Sequence, residues 1–266
     1  MRISDAVTTG LSSLKTRLRV WLLVAGAVCC ASVFGQAPAA APAIPRAADG
    51  KPNLAGIWQV LNPANYSILD HQAHPGEPAG QSIVEGNEIP YQPWAAAKQK
   101  ENYQKREQLD TVTTKCFLPG VPRITYLGLP FQIFQDSRVI TVLYEYAHAN
   151  RDIYLANAQH PKGHIDWWMG DSRAHWEGDT LVVDVVDFNE DTWFDHAGNF
   201  HSDELHLVEK YSLIDKDHIN YEVTVEDPKV FTRPWKINTV LYRRTEKNVQ
   251  LLEYECYAFP LEKYYP

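Results

Sequence analysis

Residues Arg173–Tyr211 read RAHWEGDTLVVDVVDFNEDTWFDHAGNFHSDELHLVEKY, and this stretch decides the fold. RAHWE, TLVVDVVDF and LHLVEKY are rich in β-branched and aromatic residues, the composition of strands that pack one face on a core. EGD between the first two is turn material. A loop dense in Trp, Asp, His and Asn lies between the second and third. In a closed sheet such a loop sits at the mouth, so it is the first candidate for a site.

The same pattern recurs on both sides. FQIFQ (131–135), VITVLYEYAHA (139–149), DIYLA (152–156), HINYEVTVED (218–227), WKINTVLYRR (235–244) and VQLLEYECYA (249–258) are separated by QDS, IDKD, DPK and TEKN turns. Strands joined by tight turns run antiparallel. Eight or nine of them with few helices predict an all-β, antiparallel up-and-down barrel without free edges, with a two-sheet β-sandwich as the alternative. Upstream, LAGIWQV (54–60) reads as a first strand, and residues 61–90 form a long aperiodic excursion of the kind that makes lids and binding loops. Pro93 opens one peripheral helix over Trp94–Leu109, whose Ala, Lys, Gln and Glu are good helix formers.

Residues 1–35 read as a secretory signal peptide: Lys15, Arg17 and Arg19 precede the short apolar run Val20–Phe34. Cys29 and Cys30 lie in that run, but Ala27 and Val28 before them make a poor lipid-anchor box. Residues 36–53 form an Ala/Pro-rich linker, and 54–266 a single barrel domain. The expected location is periplasmic or secreted, with no membrane attachment after cleavage. Removing the +3 of the first 35 residues from the total of −8 leaves a body at −11, which excludes nucleic acid as a natural partner because it lacks a basic footprint. The remaining cysteines, Cys116 and Cys256, are candidates for a disulfide, with two buried free thiols as the alternative.

Alternation selects the inward polar residues. Glu209 shares a face with Leu205, Leu207, Tyr211 and Leu213, and Asp227 ends the face of Ile219, Tyr221, Val223 and Val225. A carboxylate among apolar groups must be paired, hydrogen-bonded or protonated, so Glu209 and Asp227 are candidate acid–base residues, with His201 and His175 as partners. The bland alternative is that Glu209 pairs an interior Arg or Tyr. Arg173, Trp176, Asp187, Asn189, Trp193, Asp195, Tyr211, Tyr221 and Trp235 are the candidate ligand contacts, as aromatic walls and orienting polar groups. Asp187, Asn189, Asp191, Asp195, His196, His201 and Asp203 include metal-ligating types, but their spacing fits no standard metal loop, so neither metal nor cofactor is expected. Phosphate-loop, GxSxG, HExxH and CxxC motifs do not occur.

HWEGDTLVVDVVDFN, TWFD followed by GNFHSDELHLVEKY, VTVEDPKVFTRPW, DGKPNLAGIW and CFLPGVPR together resemble an uncharacterised family of exported bacterial hypothetical proteins, over nearly the whole chain after the linker. The resemblance implies a secreted, lipocalin-like β-domain whose signature is Asp187–Asn189, Thr192–Asp195, His201–His206 and Glu226–Lys229. The expected function is binding of a small, largely apolar or aromatic molecule. A cofactor-independent acid–base enzyme (isomerase, lyase or hydrolase) and a structural or partner-binding envelope protein are the alternatives.

Overall fold

Burial alternates along the longest strands, with His206–Leu213 buried at each second residue from Leu207 and His218–Glu226 from Ile219. The structure, a computed structural model, describes residues 44–256 apart from 157, 158 and 164. The expected signal peptide and the start of the linker lie outside the described residues. Nine strands follow in chain order: β1 (Gly56–Gln59), β2 (Phe131–Gln135), β3 (Val139–Tyr144), β4 (Asn150–Tyr154), β5 (Asp171–Glu177), β6 (Thr180–Val186), β7 (His206–Leu213), β8 (His218–Glu226) and β9 (Trp235–Arg243). Each pairs with the next, and β9 returns to β1 to close the barrel. Gly178 at φ 59° opens the two-residue turn that sets Glu177 opposite Thr180, a left-handed conformation that suits glycine.

The antiparallel expectation needs one correction. Strands that alternate in direction close a ring only in even number, so a nine-stranded barrel must hold a parallel seam. It falls between β4 and β5, where Ile153 pairs with Ser172 and Tyr154 with Arg173. β4 consequently ends at the opposite end of the barrel from the one where β5 begins. A second correction concerns VQLLEYECYA: its described residues make only an isolated bridge, Tyr254 to Tyr146, and four-residue β1 closes the ring instead.

One end of the barrel receives the connections 60–130, 145–149, 187–205 and 227–234, while the other has short hairpins at 136–138, 178–179 and 214–217. The Trp/Asp/His loop thus sits at a mouth. The predicted helix is α1 (Pro93–Gln104) and α2 (Arg106–Leu109), broken at Lys105, and Asp110 then caps α3 (Thr111–Lys115) by accepting from the Val112 N–H. Asn102 of α1 donates to the Gly198 carbonyl at 3.2 Å, tying the helix to the mouth loop.

The lumen is filled by Trp58, Phe131, Tyr221, Val223, Ile237 and their neighbours, as in other small barrels whose side chains occupy the interior. Each large apolar side chain removed from water contributes about 1.5–3 kcal/mol. Cys116 and Cys256 stand at disulfide distance, with Cα atoms 5.6 Å apart, and tie the chain after β9 to the end of α3. Among the described residues no helix is long and apolar enough to cross a membrane.

Candidate functional site

Glu209 lies wholly inside the barrel, and its carboxylate is saturated with donors. Arg151 of β4 reaches across to it with both terminal nitrogens, one at 3.2 Å from Oε1 and the other on Oε2, while its Nε donates to Ser172 Oγ at 2.9 Å. The phenols of Tyr221 and Tyr211 donate to Oε1 at 2.6 and 3.1 Å. Burial and the Glu209 charge push both phenols well above the usual tyrosine range. Burial would lower Arg151, but the Glu209 charge outweighs it and holds the guanidinium protonated. A carboxylate with this set of partners acts as an interior counter-ion.

The other acid–base candidates stand apart from it. Asp227 is buried and caps the turn after β8, accepting from Ser202 N and Oγ at 2.6 and 3.0 Å and from the N–H groups of Lys229 and Val230. His201 donates Nδ1–H to the Ser202 carbonyl at 2.8 Å and accepts from Thr192 at Nε2, 2.6 Å away, so both ring nitrogens are used. Burial pushes it below the usual histidine range. His175 is exposed on the outer face of β5 and meets Glu177 at 3.0 Å. On β5 it is Ser172 and Ala174 that are buried, while Trp176 is half-buried against the core, which leaves Arg173 outside. Tyr211, Tyr221 and Trp235 are core residues, and Trp235 packs edge-on against Phe194 and Phe231. Trp193 is half-buried and bridges Phe200 across the mouth loop.

At the mouth, Arg123 donates to both oxygens of Asp110 at 2.9 and 2.8 Å, and His196 Nδ1 lies 2.7 Å from Asp110 Oδ2. Burial pushes Asp110 up, but the hydrogen bonds from His196 and Arg123 outweigh it and hold the carboxyl at about 2. A folded value below the unfolded one stabilises the protein above the ordinary carboxylate range, and that contribution is lost as pH falls. The protein is therefore expected to lose about 2 kcal/mol through this group between about pH 4 and about pH 2. Urea denaturation across that range should show a shallower pH slope for Asp110→Asn. Asp195 behaves oppositely: burial raises it to about 6 against hydrogen bonds from Ile68 and Asn199, so it takes up a proton in mild acid. Asn199 in turn accepts from the Tyr91 phenol at 3.0 Å.

The site that gathers aromatic surface lies at the parallel seam. With only two ladder pairs joining β4 to β5, a cleft of about 450 Å³ opens beside them, lined by Leu118, Arg151, Asp152, Tyr154, Trp167, Trp168, Met169, Asp171 and Arg173. Arg173 lies 4.6 Å over the Tyr154 ring and donates to both Asp171 oxygens at 2.7 and 2.8 Å. Phe117 meets Trp168 edge-on at 5.1 Å, so the CFLPG segment backs one wall. Asp187 and Asn189 hold the other by backbone: Trp167 N–H donates to the Asp187 carbonyl at 3.0 Å and Asn189 N–H to the Trp167 carbonyl at 2.9 Å. Asp187 takes φ 63° to do so. Gly170, at φ 67°, lets the connection settle, since a Cβ there would stand 2.7 Å from Val185 and 2.8 Å from Phe188.

Of the sequence-predicted contacts, Arg173 lines this cleft and Asp187 and Asn189 support it. Trp167, Trp168, Tyr154 and Arg151 escaped the sequence reading. Two adjacent tryptophans in HIDWWMGD, a segment without strand pattern, were the signal for the first two. Alternation in NRDIY, which puts Arg151 on the face of Ile153, was the signal for the last. No protein-family model matches the chain, and no curated protein matches it.

Proposed function

We propose that this is an exported protein that binds a small, largely apolar or aromatic molecule in the β4–β5 cleft. The supporting observation is the convergence of Trp167, Trp168, Tyr154 and the Arg173 guanidinium on a space of about 450 Å³, within the range of small-molecule pockets. Flat rings offer large contact area at low entropic cost, and the edges of Asp152 and Asp171 supply a few orienting acceptors. The filled lumen favours this cleft over the barrel interior. Thermal-shift screening of planar aromatic compounds against the mature chain and Trp167→Ala tests it. Trp167 is 46% exposed, so its loss spares the core. Hits are expected to bind the variant about tenfold more weakly, or about 1.4 kcal/mol. Hits with equal affinity for both proteins would refute the assignment.

One observation favours the acid–base reading as a second possibility: His160 Nδ1 lies 2.6 Å from Asp171 Oδ2 at the edge of the same cleft. A hit consumed by the native protein and left intact by His160→Gln would establish it.

A further inference from the structure

We propose that Glu77, Glu107 and His196 form a divalent-metal site at the mouth of the barrel, distinct from the β4–β5 cleft. His196 Nε2 stands 3.2 Å from Glu107 Oε1 and 3.8 Å from Glu77 Oε1, and the three donor atoms lie within 4.8 Å of one another. Ligands at about 2.0–2.1 Å from a tetrahedral ion are separated by about 3.3 Å, so small rotations of the two carboxylates bring all three to bonding distance.

The imidazole is already set for this task. Asp110 accepts the Nδ1–H at 2.7 Å, which orients the ring and aims Nε2 at the carboxylates, where without metal it donates to Glu107 at 3.2 Å and a bound ion would take the place of that proton. That is the carboxylate–histidine–metal arrangement in which an outer carboxylate orients the ligand ring. Asp110 is itself pinned by two bonds from Arg123, and the His196 backbone N–H donates to the Asn65 carbonyl at 2.8 Å, so the ring has little freedom to swing away.

The ligands come from three segments: the 61–90 excursion, α2 and the mouth loop. An ion would therefore cross-link them. Glu77 also lines a cavity of about 450 Å³ with His71, His74, Tyr103 and Arg106, which gives the ion an open side for a fourth ligand. One imidazole and two carboxylates suit Zn²⁺ or a similar first-row ion better than Ca²⁺. The competing cation is Arg106, whose Nε is 3.7 Å from both Glu77 Oε1 and Glu107 Oε1 and makes no hydrogen bond there.

That competition gives the test its sign. Calorimetric titration of ZnCl₂ into the chelator-treated mature chain should show one tight equivalent. Glu77→Gln and Glu107→Gln should each weaken it at least tenfold. Glu107 is mostly exposed, so its variant keeps the metal-free melting temperature. Arg106→Gln should tighten binding, because a competing charge is gone, whereas a purely structural ion-pair cluster has no reason to gain affinity for zinc. Absence of a stoichiometric site, unchanged affinity in both Glu variants, or loss confined to His71→Ala or His74→Ala would overturn the proposal.

Discussion

Glu209→Gln is expected to cost about 3–5 kcal/mol of stability, the penalty for leaving one member of a buried ion pair without its partner. Gln keeps the shape and still accepts from Tyr211 and Tyr221, but Arg151, 3% exposed, loses its carboxylate partner and stays charged in the core. Arg151→Met strands the carboxylate and should cost about as much. Because each single change exposes the same liability, the double variant should cost clearly less than the sum. Urea denaturation of the four proteins measures this. Small, additive losses would show that Glu209 is not the interior counter-ion.

Breaking the Cys116–Cys256 link is the second large effect. The bridge spans 140 residues, and in the chain-entropy view a loop of that length contributes about 5 kcal/mol by restricting the unfolded state. It also fixes the segment beside Phe117 and Leu118, which back and line the β4–β5 cleft. Cys116→Ser with Cys256→Ser is expected to lower the melting temperature by about 10–20 °C and to weaken ligand binding with it. Native protein treated with reductant should match the double variant. A melting curve indifferent to both would mean that the pair contributes no constraint.

Much of the barrel is legible because alternation is a local signal. In LHLVEKYSL a one-residue slip would expose Leu205, Leu207, Tyr211 and Leu213 together, so the face of Glu209 follows from the pattern. Strand direction around a ring is not local, and the parallel seam came from the parity of the strand count rather than from any residue in β4 or β5. VQLLEYECYA carries strong β propensity, yet Leu252 is 64% exposed: propensity has no force without a neighbour to pair with, and β1 already occupies that edge. The candidate site was harder to read. Polar residues in the DFN and TWFD segments point to the mouth, but Asp187 and Asn189 act through their backbones by docking Trp167, a role that side-chain chemistry does not announce. Burial among apolar residues and residue type suggest reactive roles for His201 and Asp227, whereas each is a satisfied hydrogen-bonding group that shapes a loop.

If recognition occurs at the seam, as proposed, the interior carboxylate serves the fold and not the ligand. The most direct measurement is calorimetric affinity for one screened aromatic ligand, at a temperature where all variants are folded, in native protein, Trp167→Ala and Glu209→Gln. The expected result is a loss of about tenfold in Trp167→Ala and native affinity in Glu209→Gln. Native affinity in Trp167→Ala together with abolished binding in folded Glu209→Gln would place the ligand in the barrel interior and not at the seam.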